Sequence, residues 1–567
     1  MDMDDTNEHI GEIILCDIYR YRSNNSEIYQ NPTTGLWYIK SYLEHNSNFK
    51  CKIFASDHLS MMDKIQLLIK ENKKQIIGFS CYEDNYSIIK NVIYNIKQKY
   101  TNLCIVVGGP EFTASNGNVI DDLSADYGII GDGEHAMLQL ANFFYLNEDS
   151  RNSIPNLVYR DGEKILRNTT KTLENHDHLP FPEIDYSNSE KMYVVSGRGC
   201  PNRCTFCFDG NKRTSFRSVQ NVIEEINYNL EKYPNLKIIH FIDDTFTLSK
   251  ESMERYCEYF SNLLKERDIS WICEAHFNIL NRYPQLIKKM VQSGLKSIHF
   301  GIESGNDYVL KAYNKNTSVQ MMLDVVQKLC EEGIEEIEGN IIVGGPYESE
   351  ETIKNNIKFV KDLIQVAPGI LSINTVFLWP YNGTTISKYS EKYDVSFSDD
   401  LKEKSISSLQ NCVVSTKVMN RQEIINAKRT IDNAIDIIMT NEAAKFQAKD
   451  LWRIWDKKTF SFKNIWGNAI NKYPYMVNYL HYESLQNNET SWRKIPLRTF
   501  ELIEYEEDMC LKIGSNRLYG LEKAFLEGSN GKNTFEMLVQ KLGITEKEGL
   551  ELYQKLNNLC LVTMVPA

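Results

Sequence analysis

Short apolar runs and amphipathic stretches alternate along the first 150 residues. Strand-like runs fall at Gly11–Ile18, Cys51–Ala55, Gln75–Cys81, Leu103–Gly108 and Tyr127–Gly131. Between them, apolar residues recur with helical period at Leu36–His45, Met61–Glu71, Ser87–Tyr100 and from His135 onward. This alternation predicts a doubly wound parallel sheet, with its ligand crevice at the C-terminal ends of the strands. A second series begins near residue 190, with runs at Met192–Val195, Lys237–Ile242, Ile269–Cys273, Ser297–Ile302, Ile337–Val343 and Leu371–Leu378. Six strands alternating with helices predict a partial (β/α)6 barrel, open on one side. Beyond residue 400 the pattern turns mostly helical, at Arg421–Asn441 and Ala443–Trp455. A small unit follows Thr499: a strand pair over Glu506–Ile513, helices at Asn516–Leu526, Thr534–Leu542 and Glu546–Leu559, and a strand at Cys560–Val565. Helices followed by a strand predict a winged-helix-like module. The expected fold class is α/β: a first domain over residues 1–150, a linker over 151–189, a core over 190–400 and a helical region over 401–567.

A chain of 567 residues is too long for one hydrophobic core, which agrees with that division. The net charge of −12 disfavours a general nucleic-acid binder. The start, MDMDDTNEHIGEIIL, lacks the build of a secretory signal, and no apolar run is long enough to cross a bilayer. Thirteen cysteines, an odd number scattered singly outside one trio, suit a reducing compartment; a cytoplasmic protein without membrane contact is expected.

That trio is the chemical centre of the sequence. SGRGCPNRCTFCFDG, Ser196–Gly210, spaces Cys200, Cys204 and Cys207 as C-x3-C-x2-C at the end of the first barrel strand. Three thiolates on one tight loop can hold three irons of a cubane and leave the fourth open to a chelating ligand. A zinc knuckle is the alternative, but structural zinc takes four ligands and no second pair lies nearby. Elsewhere, Gly108-Gly109-Pro110 with Thr113, and Gly131-Asp132-Gly133-Glu134, end two strands of the first domain with glycine turns that admit close backbone approach. Neither is G-x-G-x-x-G, which disfavours a nicotinamide dinucleotide.

The cysteine loop, with Phe206 before its last thiol, resembles the radical S-adenosylmethionine superfamily. In that family the open iron is chelated by the methionine amino and carboxylate groups, and reductive cleavage gives a 5'-deoxyadenosyl radical. The resemblance implies a 4Fe-4S cluster, S-adenosylmethionine and an external one-electron reductant. Further segments are similar to the family's strand-end motifs. FIDDTF implies Asp243 and Asp244 as cofactor or substrate contacts, with a helix N-cap as the plainer alternative. Glu274 follows the third strand as a contact to ribose or amine, while His276 stands where the family more often has arginine, so a carboxylate clamp there is in doubt. GIESGNDYVLKAYNKNTS implies that Glu303 and Ser304 bond the cofactor, with Leu310 and Lys315 as part of the motif. Gly344-Gly345-Pro346-Tyr347 is similar to the adenine-packing segment, with tyrosine in place of the usual glycine.

The order VVGGPEFT, DYGIIGDGE and Leu179-Pro180-Phe181-Pro182 resembles the cobalamin-binding domain that precedes many such cores. The resemblance implies cobalamin against Gly108, Gly109, Pro110, Thr113, Gly131, Gly133 and Glu134. No D-x-H-x-x-G segment is present, so no histidine from this domain is expected on cobalt. The implied activity is methylation or other remodelling of an unactivated carbon in a peptide or natural-product substrate. The alternative is a cobalamin-independent peptide maturase forming a crosslink or an epimer. The terminal module weakly resembles a leader-peptide recognition element, which would bind by strand addition.

Overall fold

The computed structural model describes residues 10–18, 33–56, 58–70, 73–148, 150–208, 214–246, 249–398, 411–456, 459–485, 495–499, 504–505, 511–513 and 516–565. The chain divides into two compact units. The first comprises Met1–Met321, Ile341–Ile353 and Thr375–Lys428, and the second Met322–Asn340, Lys354–Asn374 and Arg429–Ala567.

In the first unit, β1 (Glu12–Ile18), α1 (Thr34–Asn46), β2 (Lys50–Ser56), α2 (His58–Leu68), β3 (Gln75–Ser80), α3 (Tyr86–Lys99), β4 (Leu103–Gly108), α4 (Pro110–Ala114), β5 (Tyr127–Ile129) and α5 (Glu134–Ala141) follow the predicted alternation. Strands β1 to β5 pair in parallel, in the order β2-β1-β3-β4-β5. Every residue of β1 is buried because helices cover both sheet faces. Ile14, Cys16 and Ile18 enter one apolar layer, and Ile13 and Leu15 the other.

The segment after residue 151, expected only as a linker, extends this sheet. There β6 (Leu157–Asp161) pairs antiparallel with β5, and β7 (Lys164–Arg167) with β6. The turn between them holds Asp161-Gly162-Glu163-Lys164, with Gly162 at φ 64°, a hairpin signal within a short polar stretch.

The barrel sheet is built from β8 (Lys191–Val194), β9 (Ile238–Phe241), β10 (Ser270–Ala275), β11 (Leu295–Glu303), β12 (Glu336–Val343) and β13 (Leu371–Phe377). Their spatial order is their order in the chain, as successive right-handed crossovers produce. The helices between β8 and β10 start on capping serines: Ser218 accepts from the Asn221 N–H at 3.1 Å, and Ser249 from that of Ser252 at 3.1 Å. On the outer face Phe241, Phe260 and Trp271 pack ring on ring; Phe260 stacks on Trp271 with centroids 5.2 Å apart.

In the second unit, Trp466 is fully buried and donates its indole N–H to the Leu371 carbonyl at 2.9 Å. Helices Gly520–Gly528, Phe535–Leu542 and Glu546–Asn558 precede the strand Val562–Val565. Residues 516–518, expected to start a helix, form a strand paired with Leu511–Ile513; most of the expected strand pair over 506–513 lies outside the described residues. The last strand pairs antiparallel with Ile495–Arg498, and its Val562, Thr563 and Met564 are buried. The chain itself therefore takes up one edge of this strand.

Candidate active site

The cysteine loop is held from both ends by the barrel. At its start Asp243, at the C-terminal end of β9, accepts from the Ser196 N–H at 2.7 Å, the Ser196 hydroxyl at 2.7 Å and the Gly197 N–H at 2.8 Å. Asp244 accepts from the Gly199 N–H at 3.0 Å. Adjacent acids at a strand end thus accept from amides of the cysteine loop. Burial pushes the Asp243 pKa up to about 7, against donated bonds that favour the charged form. Both acids act on the loop, and Asp243 is fully engaged there.

Farther along the loop, the Thr205 N–H donates to the Tyr313 carbonyl at 2.9 Å, and the Thr205 carbonyl accepts from the Ile386 N–H at 2.9 Å. Phe206, the aromatic residue of the motif, packs edge-on against Tyr313 with centroids 4.8 Å apart. The loop's last motif residues, Asp209 and Gly210, lie outside the described residues. Among the described cysteines only Cys200, Cys204, Cys207 and Cys330 are not buried. Burial raises the Cys204 thiol, opposed by the Lys315 ammonium.

Lys315 pairs with Glu303 at 2.7 Å, and both side chains are more than nine-tenths buried. Burial disfavours the ammonium, but Glu303 and the thiols of Cys204 and Cys207 outweigh it and raise the Lys315 pKa. Glu303 has φ 63°, and a Cβ on Gly301 would collide with both partners of the ion pair, so the glycine of GIESG makes room for it. The hydroxyl of Ser304 accepts from the Asn306 N–H at 3.2 Å. Gly344, at φ 83°, donates its N–H to the buried Glu348 at 2.9 Å. Tyr347, standing where the family has glycine, takes φ 61° and is exposed.

His276 caps the short helix Phe277–Arg282, accepting from the Asn278 N–H at 3.4 Å. Burial lowers its pKa to about 3, so it is neutral and supplies no cation for a carboxylate. Glu274 faces the barrel interior and meets His299 at 2.9 Å.

The first-domain turns form the other wall. Gly109 takes φ 97°, and a Cβ there would come within 2.7 Å of the Cys81 backbone. Thr113 accepts from the Gly131 N–H at 3.0 Å, which ties the two glycine turns together. Gly131, at φ 74°, faces open space, whereas a Cβ on Gly133 would meet Ile39 at 2.9 Å. Glu134 is buried against Arg198 at 2.5 Å, and Asp132 meets the same guanidinium at 2.7 Å. Burial opposes the Arg198 charge, and these two carboxylates more than restore it. Asn382 donates to Glu111 of the first turn at 2.6 Å.

These contacts enclose a cavity of about 690 Å³. One wall holds Gly108, Gly109, Pro110, Thr113, Gly131, Gly133 and Glu134, and the other Gly197, Arg198, Gly199, Phe208 and Asp244. All the predicted first-domain residues line this one space. Sequence reading missed Arg198, Asp132 and His176; arginine beside the cysteine motif and an acid inside the glycine turn were the available signals. His176 carries none, because it lies in a polar connecting segment.

Fold and site together define an α/β-barrel enzyme with a three-thiolate loop and a glycine-lined ligand domain. Residues 194–360 match the radical SAM superfamily model, and residues 29–141 match the B12 binding domain model. The chain is 29% identical over 377 residues to an uncharacterized methyltransferase of Pyrococcus horikoshii, covering 63% of this chain and 78% of that protein. Its fold is similar to that of the cobalamin-dependent S-adenosylmethionine radical enzyme OxsB, with TM-score 0.61 at 16% identity over 83% of this chain and 73% of the other. It is also similar to the radical S-adenosylmethionine methyltransferase TsrM from Kitasatospora setae, with TM-score 0.56 at 13% identity over 68% of this chain and 78% of the other. The chain therefore carries a radical SAM region over residues 194–360 and a B12-binding domain over residues 29–141. The cofactors of this class of enzyme are a 4Fe-4S cluster, S-adenosylmethionine and cobalamin. The residues present fit them: three accessible thiols on one loop for the cluster, and a glycine-lined cavity with open space over Gly131 for the corrin.

Proposed function

We propose that the enzyme transfers a methyl group to an unactivated carbon of a peptide or natural-product substrate. The observation that carries this reading is the shared cavity: the cradle for cobalamin and the residues flanking the cysteine loop line one space. When bound, the cluster supplies the electron that cleaves S-adenosylmethionine, and cobalamin supplies the methyl group. Cys200, Cys204 and Cys207 would hold the cluster, and Asp243 and Asp244 keep their loop in place by its amides. Glu303, Ser304 and Gly344 are the proposed S-adenosylmethionine contacts, with Lys315 balancing the Glu303 charge. Gly108, Gly109, Pro110, Thr113, Gly131 and Gly133 would present backbone to the corrin. Glu134 and Asp132 reach across to Arg198, which fixes the cradle against the loop.

Among the described residues no helix is long and apolar enough to cross a membrane. The barrel sheet, among the described residues, runs from β8 to β13 with these as its two outer strands, which supports a bulky substrate. The test is anaerobic reconstitution with iron, sulfide and methylcobalamin, followed by turnover with a chemical reductant and the peptides encoded beside the gene. The expected products are S-adenosylhomocysteine, 5'-deoxyadenosine and a substrate in which one methyl group has replaced a hydrogen, a net gain of CH2. A substrate two hydrogens lighter, with no S-adenosylhomocysteine, would replace methylation by oxidative crosslinking.

A further inference from the structure

Inside the barrel, His240 on β9, Glu274 on β10 and His299 on β11 stand on three adjacent strands. Their ligand atoms all lie within 4.8 Å of one another. Strand alternation places them on one face: Phe241 and Trp271 point to the outer helical layer, so His240 points inward, as does Glu274 three residues after Trp271. Glu274 and His299 are register partners, 2.9 Å apart through the carboxylate and Nδ1. His240 lies edge-on to His299 with centroids 5.8 Å apart, and Tyr193 of β8 backs it at 5.6 Å. Neither nitrogen of His240 meets a hydrogen-bond partner, although both are shut off from solvent. An imidazole buried in that state has lost its water and gained nothing in return.

We propose that His240, Glu274 and His299 bind a divalent transition-metal ion of the zinc type. Two imidazoles and one carboxylate are a donor set for such ions, and three protein donors leave a position open toward the barrel interior. Donors about 2.1 Å from a tetrahedral ion stand about 3.4 Å from one another, so side-chain rotation closes the remaining gap without moving the strands. The strands are each paired on both sides, so the three ligands are presented by regular secondary structure rather than by loops.

The test uses tag-free, full-length protein in which Cys200, Cys204 and Cys207 are replaced by Ala, so that no cluster-loop thiol competes for metal. After chelator treatment it is titrated with Co(II), and the visible d–d bands are followed. One equivalent with bands of a four- or five-coordinate ion, displaced by Zn(II), is expected. His240→Ala and Glu274→Gln in that background should each weaken Co(II) binding at least tenfold; the second keeps side-chain shape and so guards against misfolding, which circular dichroism monitors. Absence of stoichiometric binding by the triple-Ala parent overturns the site, as does unchanged affinity in both variants. No cofactor takes part, so this result is independent of whether methyl transfer is the reaction.

Discussion

Gly108, Gly109, Gly131 and Gly133 bring bare backbone to the first-domain wall of the cavity, whereas the barrel end is crowded with buried ionisable groups: Asp243, Glu348 and the Glu303–Lys315 pair. A large, mostly apolar ring is recognised by shape, and backbone laid bare by glycine lets it approach closely. A thiolate cluster and a zwitterionic sulfonium cofactor are recognised by charge, and buried charges have to be compensated in advance. The first wall should therefore fail when a methyl group fills it, and the second when one partner of a pair is removed.

The largest effect is expected at the thiols. Changing Cys200, Cys204 or Cys207 singly to Ala should abolish iron–sulfur absorption and S-adenosylmethionine cleavage while cobalamin still binds. Cleavage at the parental rate in any one variant would remove that cysteine from the cluster.

The Glu303–Lys315 pair comes next. Lys315→Met leaves a buried carboxylate uncompensated, a loss of roughly 3–5 kcal/mol for a buried pair. The double variant with Glu303→Gln should recover part of it, and a double-mutant cycle by chemical denaturation reads the coupling. Glu303→Gln alone should weaken S-adenosylmethionine binding with the cluster intact. Additive single effects would mean that the two side chains do not act as a pair.

At the junction of the two walls, Arg198→Gln removes charged hydrogen bonds to Asp132 and Glu134, worth about 1.5–3 kcal/mol each. Faster cobalamin release with unchanged cluster content is the expected outcome. Release at the parental rate would show that the cradle holds its shape without the barrel.

Both sheets could be read from periodicity because their strands are buried runs between amphipathic helices: β1, with every residue buried, sends alternate residues into two apolar layers. The hairpin at Leu157–Arg167 could not, because half of its residues are polar and its pairing partner β5 lies some thirty residues earlier. Site residues were legible where one residue type has one use. Three closely spaced thiols and glycines at strand ends are such cases. Acids are not: the residue type alone reads Asp243 and Glu134 as ligand contacts, and the structure adds partners within the chain, loop amides for the one and Arg198 for the other. No local pattern marks such long-range partners, and the same holds for His240 and His299, which adjacency in the barrel brings together.

The smallest effect separates glycines that carry the fold from those that admit a ligand. Gly109 and Gly131 both sit at positive φ, 97° and 74°, so alanine costs about 1–2 kcal/mol of backbone strain at either. At Gly109 the new methyl would also press on the Cys81 backbone at 2.7 Å, whereas at Gly131 it meets nothing within 4 Å and extends into the cavity. Gly109→Ala should therefore lower the unfolding midpoint more than Gly131→Ala does. Gly131→Ala should instead weaken cobalamin about tenfold, the equivalent of about 1.4 kcal/mol, with the cluster unchanged and the unfolding midpoint lowered by the backbone strain alone. Equilibrium dialysis of hydroxocobalamin against both variants reads the difference. Equal affinity for Gly131→Ala and the parent would mean that the corrin does not lie over this turn, and the first-domain wall would then be shaped by folding alone.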